Sequence, residues 1–222
     1  AHIHNDSFEH MVQPKMVYIS NPTEVGTIYS KAELTALSAT CHKYGLYLFL
    51  DGARLGYGLA APDNDLTLPD IAALCDVFYI GGTKVGALFG EAVVIKNPEL
   101  AQDFRYLIKQ NGGMLAKGRL LGLQFDALFT DGLYQVISAH AIAMAEKLRE
   151  AFTAKGYTYL APNRTNQIFV IVPDAHLAKI SEQFEYSYDQ RIDATHSCVR
   201  FCTGWATREE NVDALIRCVE KL

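Results

Sequence analysis

Two apolar runs that end abruptly in polar groups constrain this chain more than anything else in it. The first is Leu46-Tyr-Leu-Phe-Leu-Asp51-Gly-Ala-Arg54. The second, after a helix-sized gap, is Asp76-Val-Phe-Tyr-Ile-Gly81-Gly-Thr-Lys84. A continuous apolar run of this length reads as a strand buried on both faces, as in a parallel sheet. Each strand then delivers its polar side chains at its C-terminal end, the edge at which open α/β sheets bind ligands. One end presents a carboxylate and a guanidinium. The next presents a small-residue turn and a lysine.

The rest of the chain supports an α/β reading. Pro14 to Ser20 predicts a strand that ends in the turn-rich loop from Asn21 to Thr27. Ser30 with Glu33 forms a capping box for a helix whose apolar face is Leu34, Leu37, Cys41 and Tyr44, stopped by Gly45. Thr67 with Asp70, and Pro69 between them, starts a second helix ahead of the Lys84 strand. Glu91 to Ile95 reads as a further strand in this strand–helix alternation, and Asn97-Pro98-Glu99 opens another helix. Leu120 to Ala154 reads as helical with a break near Thr130-Asp131-Gly132. A smaller α/β unit follows, with strands at 167–172 and 198–202, a helix from Ala175 to Phe184, and a terminal helix begun by a capping box at Thr207 and Glu210.

An acid, an arginine and a lysine at adjoining strand ends suit a cofactor with a ring nitrogen, a phosphate and an aldehyde, which describes pyridoxal 5'-phosphate. Its aldehyde needs a lysine amine, and its pyridine nitrogen needs an acidic partner to stay protonated. Taken singly, Asp51 reads as a helix cap and Lys84 as a solvated charge. Together, in this order and with Arg54 between them, they point to the cofactor. The pattern resembles the low-specificity threonine aldolases, in the β-eliminating lyase branch of the fold-type-I pyridoxal-phosphate enzymes. The Asp51-Gly52-Ala53-Arg54 run carries the resemblance most specifically, and the likeness extends over most of the chain.

That resemblance implies roles. Asp51 meets the pyridine nitrogen, Lys84 bonds the aldehyde, Thr83 keeps a hydroxyl beside it, and Arg54 helps hold the substrate carboxylate. Arg200, in an Arg-x-x-Thr setting that ends at Thr203, forks the same carboxylate; on sequence alone it also reads as an outward-facing arginine of an edge strand. His2, in an Ala-His-Ile run, stacks on the cofactor ring. His10 serves as a base near the substrate side chain, or is a loop histidine without a role. Gln110 to Met114 resembles a segment in which an arginine soon after the methionine reaches a phosphate across a subunit interface. Leu115 stands there instead, so Lys117 or Arg119 is left to supply the contact. The implied architecture has residues 1–121 as the later part of a large cofactor domain, and residues 122–222 as linking helices plus a small C-terminal domain. The start resembles a chain whose preceding half, with the phosphate-cradling loop, is missing, so that Asn5 and Asp6 join segments that are distant in the parent protein.

Composition narrows the alternatives. A net charge of −5 gives no basic footprint for nucleic acid, and no apolar run reaches membrane-spanning length. Five scattered cysteines without a zinc-ligand pattern read as reduced thiols of a cytoplasmic protein, and no metal site is expected. The expected activity is cleavage of L-threonine or L-allo-threonine to glycine and acetaldehyde, within threonine catabolism and glycine formation, by a homodimer or homotetramer. The rivals are β-elimination or transamination on the same scaffold, and, in another class, a non-catalytic phosphate-binding α/β module.

Overall fold

The computed structural model describes residues 8–222. His2 and the Asn5–Asp6 junction lie outside the described residues. Strands β1 (Met16–Ser20), β2 (Tyr47–Asp51) and β3 (Val77–Gly81) pair in parallel in that order, and β4 (Glu91–Ile95) joins the far side of β3. The register sets Ser20 beside Asp51, so the polar ends of β1 and β2 finish level. Helices α1 (Lys31–Lys43) and α3 (Leu68–Leu74) make the two crossovers. Both capping boxes form: Ser30 and Thr67 accept the N–H groups of Glu33 and Asp70, whose carboxylates return the bond to the cap backbone. Donors that a helix start would leave unpaired are thereby satisfied.

One strand departs from the expected alternation. β4 runs antiparallel to β3, because the short 82–90 link has no room for the crossover that a parallel return requires. The sheet is therefore mixed and mainly parallel. Its core face buries Leu48, Leu50, Phe78 and Ile80 against Leu34, Cys41, Ile71, Leu128, Tyr134 and Ala141. Its other face carries Met16, Tyr18, Phe49, Tyr79 and Val93, of which Met16 and Tyr18 are about half exposed (51% and 55%).

The helical stretch after the sheet comprises α4 (Pro98–Ala101), α5 (Phe104–Gln110), α6 (Arg119–Phe129) and α7 (Leu133–Ala154). The expected break between the last two is present: Asp131 and Gly132 both take left-handed backbone (φ 51° and 72°). α7 contributes to two cores, with Ala141 and Ile142 in the first and Met144, Leu148 and Phe152 in the second. The second core packs against an antiparallel sheet of β5 (Thr158–Tyr159), β6 (Gln167–Pro173), β8 (His196–Cys202) and β7 (Ser187–Arg191), in that spatial order. α8 (Asp174–Ile180) and α9 (Glu209–Glu220) cover it. The capping box expected at Thr207 does not form. Its hydroxyl instead accepts the Gly204 N–H (2.8 Å), its own N–H goes back to the Gly204 carbonyl, and α9 begins only at Glu209. Tight-turn closure wins there because the chain must reverse out of β8. No helix among the described residues is long and apolar enough to cross a membrane.

Candidate active site

The two motif strands approach each other more closely than side chains would permit. A Cβ on Gly52 would lie 1.9 Å from the Tyr79 carbonyl oxygen, and one on Gly81 would lie 2.2 Å from that of Ala53. The Gly81 N–H donates to the Gly52 carbonyl (2.8 Å), which extends the parallel pairing past the strand ends. Both glycines are thus required by close approach of backbone, and that approach gathers the polar ends of β2 and β3 at one edge. Tyr134, buried on α7, locks the junction: its hydroxyl accepts the Gly56 N–H (3.1 Å) and donates to the Gly81 carbonyl (3.0 Å).

At that edge, Asp51 accepts hydrogen bonds from the Tyr18 hydroxyl and the Ala53 N–H, and the Tyr79 hydroxyl on the neighbouring strand also favours its charged form. Burial works to raise this carboxyl, but the two phenols, the Ala53 amide and the Lys84 charge outweigh it and hold it below the usual carboxylate range. The carboxylate stays ionised and retains lone pairs for a further donor. Lys84 follows in a turn closed by Val85 and Ala87 N–H groups bonding to the Gly82 carbonyl. Val85 is fully buried and anchors this turn, while Lys84 itself is exposed. The Thr83 hydroxyl is directed to the Gly90 carbonyl (3.4 Å).

The two arginines converge from different elements. Arg54 caps α2 (Leu55–Leu59); its side chain is 16% exposed, with Glu24 as a loose partner at 3.9 Å. Arg200, on β8, donates from Nη1 to Gln167 Oε1 (3.3 Å) and lies over the Phe169 ring, while its buried Nε has no partner. A guanidinium with an unmet donor is a receptor for an anion. The loop after β1 carries the second core toward the first: Asn163, Thr165 and Gln167 donate side-chain bonds to the Val25, Gly26 and Glu24 carbonyls. Burial pushes the Cys202 thiol up, against the opposing charges of Arg200, Arg54 and Lys84.

Other expected residues make no side-chain hydrogen bond or ion pair with Asp51, Lys84, Arg54 or Arg200 among the described residues. His10 is 79% exposed in a 3-10 turn ahead of β1, with neighbouring Glu9 at 3.5 Å. Lys117 and Arg119 sit on an exposed segment with Leu115 and Leu120, and no side-chain polar contact ties Lys117 to the cleft among the described residues. Sequence reasoning missed Tyr18, Tyr79, Gln167 and Cys202. One signal was available. Tyr18, Phe49 and Tyr79 each lie two positions before the last residue of their strand, so period-two alternation sets them on one face with Asp51.

An ionised carboxylate and a lysine at adjoining strand ends, with two arginines, one of them short of a partner, form a donor set that fits a pyridoxal-phosphate-type site on the fold-type-I scaffold. Thermus thermophilus aspartate aminotransferase shares that fold: 16% identical, it superposes with a TM-score of 0.68 over 96% of this chain and 59% of its own, a likeness of fold alone. The beta-eliminating lyase family model matches residues 1–175, and the chain belongs to that family. It is 33% identical to the low specificity L-threonine aldolase of a Pseudomonas species over 93% of this chain, and 32% identical to that of Pseudomonas aeruginosa over 94%. It spans 59% and 60% of the length of these curated relatives. The structure of Leishmania major threonine aldolase is 46% identical, with a TM-score of 0.94 over 96% of this chain and 62% of that one.

Proposed function

We infer that the protein is a pyridoxal-phosphate-dependent threonine aldolase, cleaving L-threonine or L-allo-threonine to glycine and acetaldehyde. The observation that carries this reading is the close approach of the ends of β2 and β3, which sets the Asp51 carboxylate and the Lys84 turn at one sheet edge, together with the buried, partnerless Nε of Arg200. The named relatives support the choice of reaction within the family.

Asp51, kept charged by Tyr18 and Tyr79, is the group to hold the ring nitrogen protonated, and Lys84 is the amine to bond the aldehyde. Bound pyridoxal phosphate supplies a sink for the electron pair left when the substrate Cα–Cβ bond breaks. Arg54 and Arg200 grip the α-carboxylate, and two cations on one carboxylate fix the orientation of the bonds at Cα. The β-hydroxyl proton passes to a base, a role we assign to His10 or a water that it orients; His2 is assigned to the cofactor ring. The phosphate contact falls to Lys117 from a neighbouring subunit of a homodimer or homotetramer. The exposed apolar Leu115, Leu120 and Leu123 beside Lys117 and Arg119 support an interface there. A cytoplasmic setting accords with five free cysteines.

The test is release of glycine and acetaldehyde from L-threonine by the protein supplied with pyridoxal phosphate. Equimolar formation of the two supports the reading. Ammonia and a keto acid in their place would make the protein a β-eliminating lyase.

A further inference from the structure

Tyr57 occupies a place that the proposed reaction does not use. It lies on α2, is 1% exposed, and follows Arg54 closely enough for its N–H to bond the Arg54 carbonyl (3.0 Å). Its hydroxyl donates to the backbone carbonyl of Lys84 (2.5 Å) and accepts the N–H of Trp205 (3.3 Å). Trp205 stands in the turn that leaves β8, just past Arg200, Cys202 and Thr203. Thr203 is itself fixed, its hydroxyl donating to the Ala141 carbonyl (2.7 Å) and its N–H to that of Asn166 (3.0 Å). One oxygen therefore joins three segments: the helix begun by Arg54, the turn that carries Lys84, and the exit of the strand that carries Arg200.

We propose that Tyr57 is a positioning residue that holds the Lys84 backbone in register with the Arg200 strand, so that one hydroxyl sets both the amine and the carboxylate clamp. The proposal deepens, and rests on, the assignment of Lys84 and Arg200 to one amino-acid substrate. A phenol suits the task because it is donor and acceptor at once, and both capacities are filled here. Burial pushes this phenol up, and it keeps the proton it donates throughout the neutral range. No other side chain hydrogen-bonds either backbone group among the described residues, so phenylalanine would leave a buried carbonyl and a neighbouring N–H without this partner.

The test is Tyr57→Phe, with Tyr159→Phe as the control: a half-buried tyrosine of the second core that bonds the Arg149 carbonyl. Amide hydrogen exchange on the protein without cofactor gives a readout independent of activity. Tyr57→Phe is expected to speed exchange at least tenfold in both segments 84–87 and 203–207, whereas Tyr159→Phe leaves both unchanged. With cofactor and L-threonine, Tyr57→Phe should lower kcat and raise KM together, with kcat/KM down about tenfold, because misplacing the amine and the clamp affects different steps. Unchanged exchange in either segment overturns the proposal, even if the rate falls. An absence of aldol cleavage in the unsubstituted protein overturns the functional reading alone, and the exchange result still decides the linkage. Should Tyr57→Phe fail to fold, pyridoxal phosphate fixed to Lys84 of the unsubstituted protein by borohydride should shift the emission of Trp205, the chain's one tryptophan. Unaltered emission would overturn the coupling.

Discussion

The Tyr18 hydroxyl on β1 donates to the carboxylate of Asp51 on β2, while the Tyr18 ring stacks on Phe49 at 5.2 Å with the planes 8° apart. Strand pairing produces both contacts, since Tyr18 and Phe49 are register partners and Asp51 is two residues further along β2. A bond donated to the charged form depresses a carboxyl pKa. Tyr18→Phe should therefore raise the Asp51 pKa, because burial, the largest influence, already pushes it up and loses one opponent. The carboxyl carbon resonance, assigned by its disappearance in Asp51→Asn, should titrate at higher pH in Tyr18→Phe. An unmoved midpoint would mean that Tyr79 and the Ala53 amide suffice.

The close approach of β2 and β3 makes Gly81→Ala a severe change. Its Cβ would stand 2.2 Å from the Ala53 oxygen, so the strand ends must part. A loss of about 1–3 kcal/mol is expected for overpacking of this kind, together with loss of the visible absorbance of the cofactor-loaded protein. Gly122→Ala on α6 is the counterpart. Nothing lies within 4 Å of the added methyl, and replacing a helical glycine should stabilise by about 0.5–1 kcal/mol. Urea midpoints moving in the same direction for the two variants would contradict this geometry.

Acid sensitivity should reside partly in the α3 cap. Lys31, then the Thr67 hydroxyl and amide, hold Asp70 down from 3.8 to about 2. A folded-state pKa below the unfolded value gives stability that is complete at neutral pH and fades as pH falls from about 4 toward 2. Asp70→Asn should lose that segment of the melting profile and leave its shape above pH 5 unchanged. Parallel profiles down to pH 2 would place the acid response elsewhere.

Local chemistry was legible wherever partners are close in sequence. Ser30 with Glu33 and Thr67 with Asp70 cap their helices as read, and the apolar β2 and β3 end in Asp51 and the Lys84 turn. Legibility failed where a distant partner decided the outcome. Thr207 carries a capping signature but closes a turn with Gly204. β7 went unread because Ser187–Arg191 is exposed throughout and offers no apolar alternation; it is recruited by the edge of β8. β4 was read as a strand, but its direction depends on the length of the 82–90 link. The hydroxyl contacts of Tyr57 reach 27 and 148 residues along the chain, beyond any pattern of neighbours.

Lys84 is the residue proposed to bond the cofactor. Pyridoxal phosphate should be added to the protein, the linkage reduced with borohydride, and the labelled peptide sequenced by mass spectrometry. The expected result is a single pyridoxyl group on Lys84, absent together with the visible absorbance in Lys84→Ala. A label on another lysine, or a Lys84→Ala protein that still turns yellow under native conditions, would contradict the account.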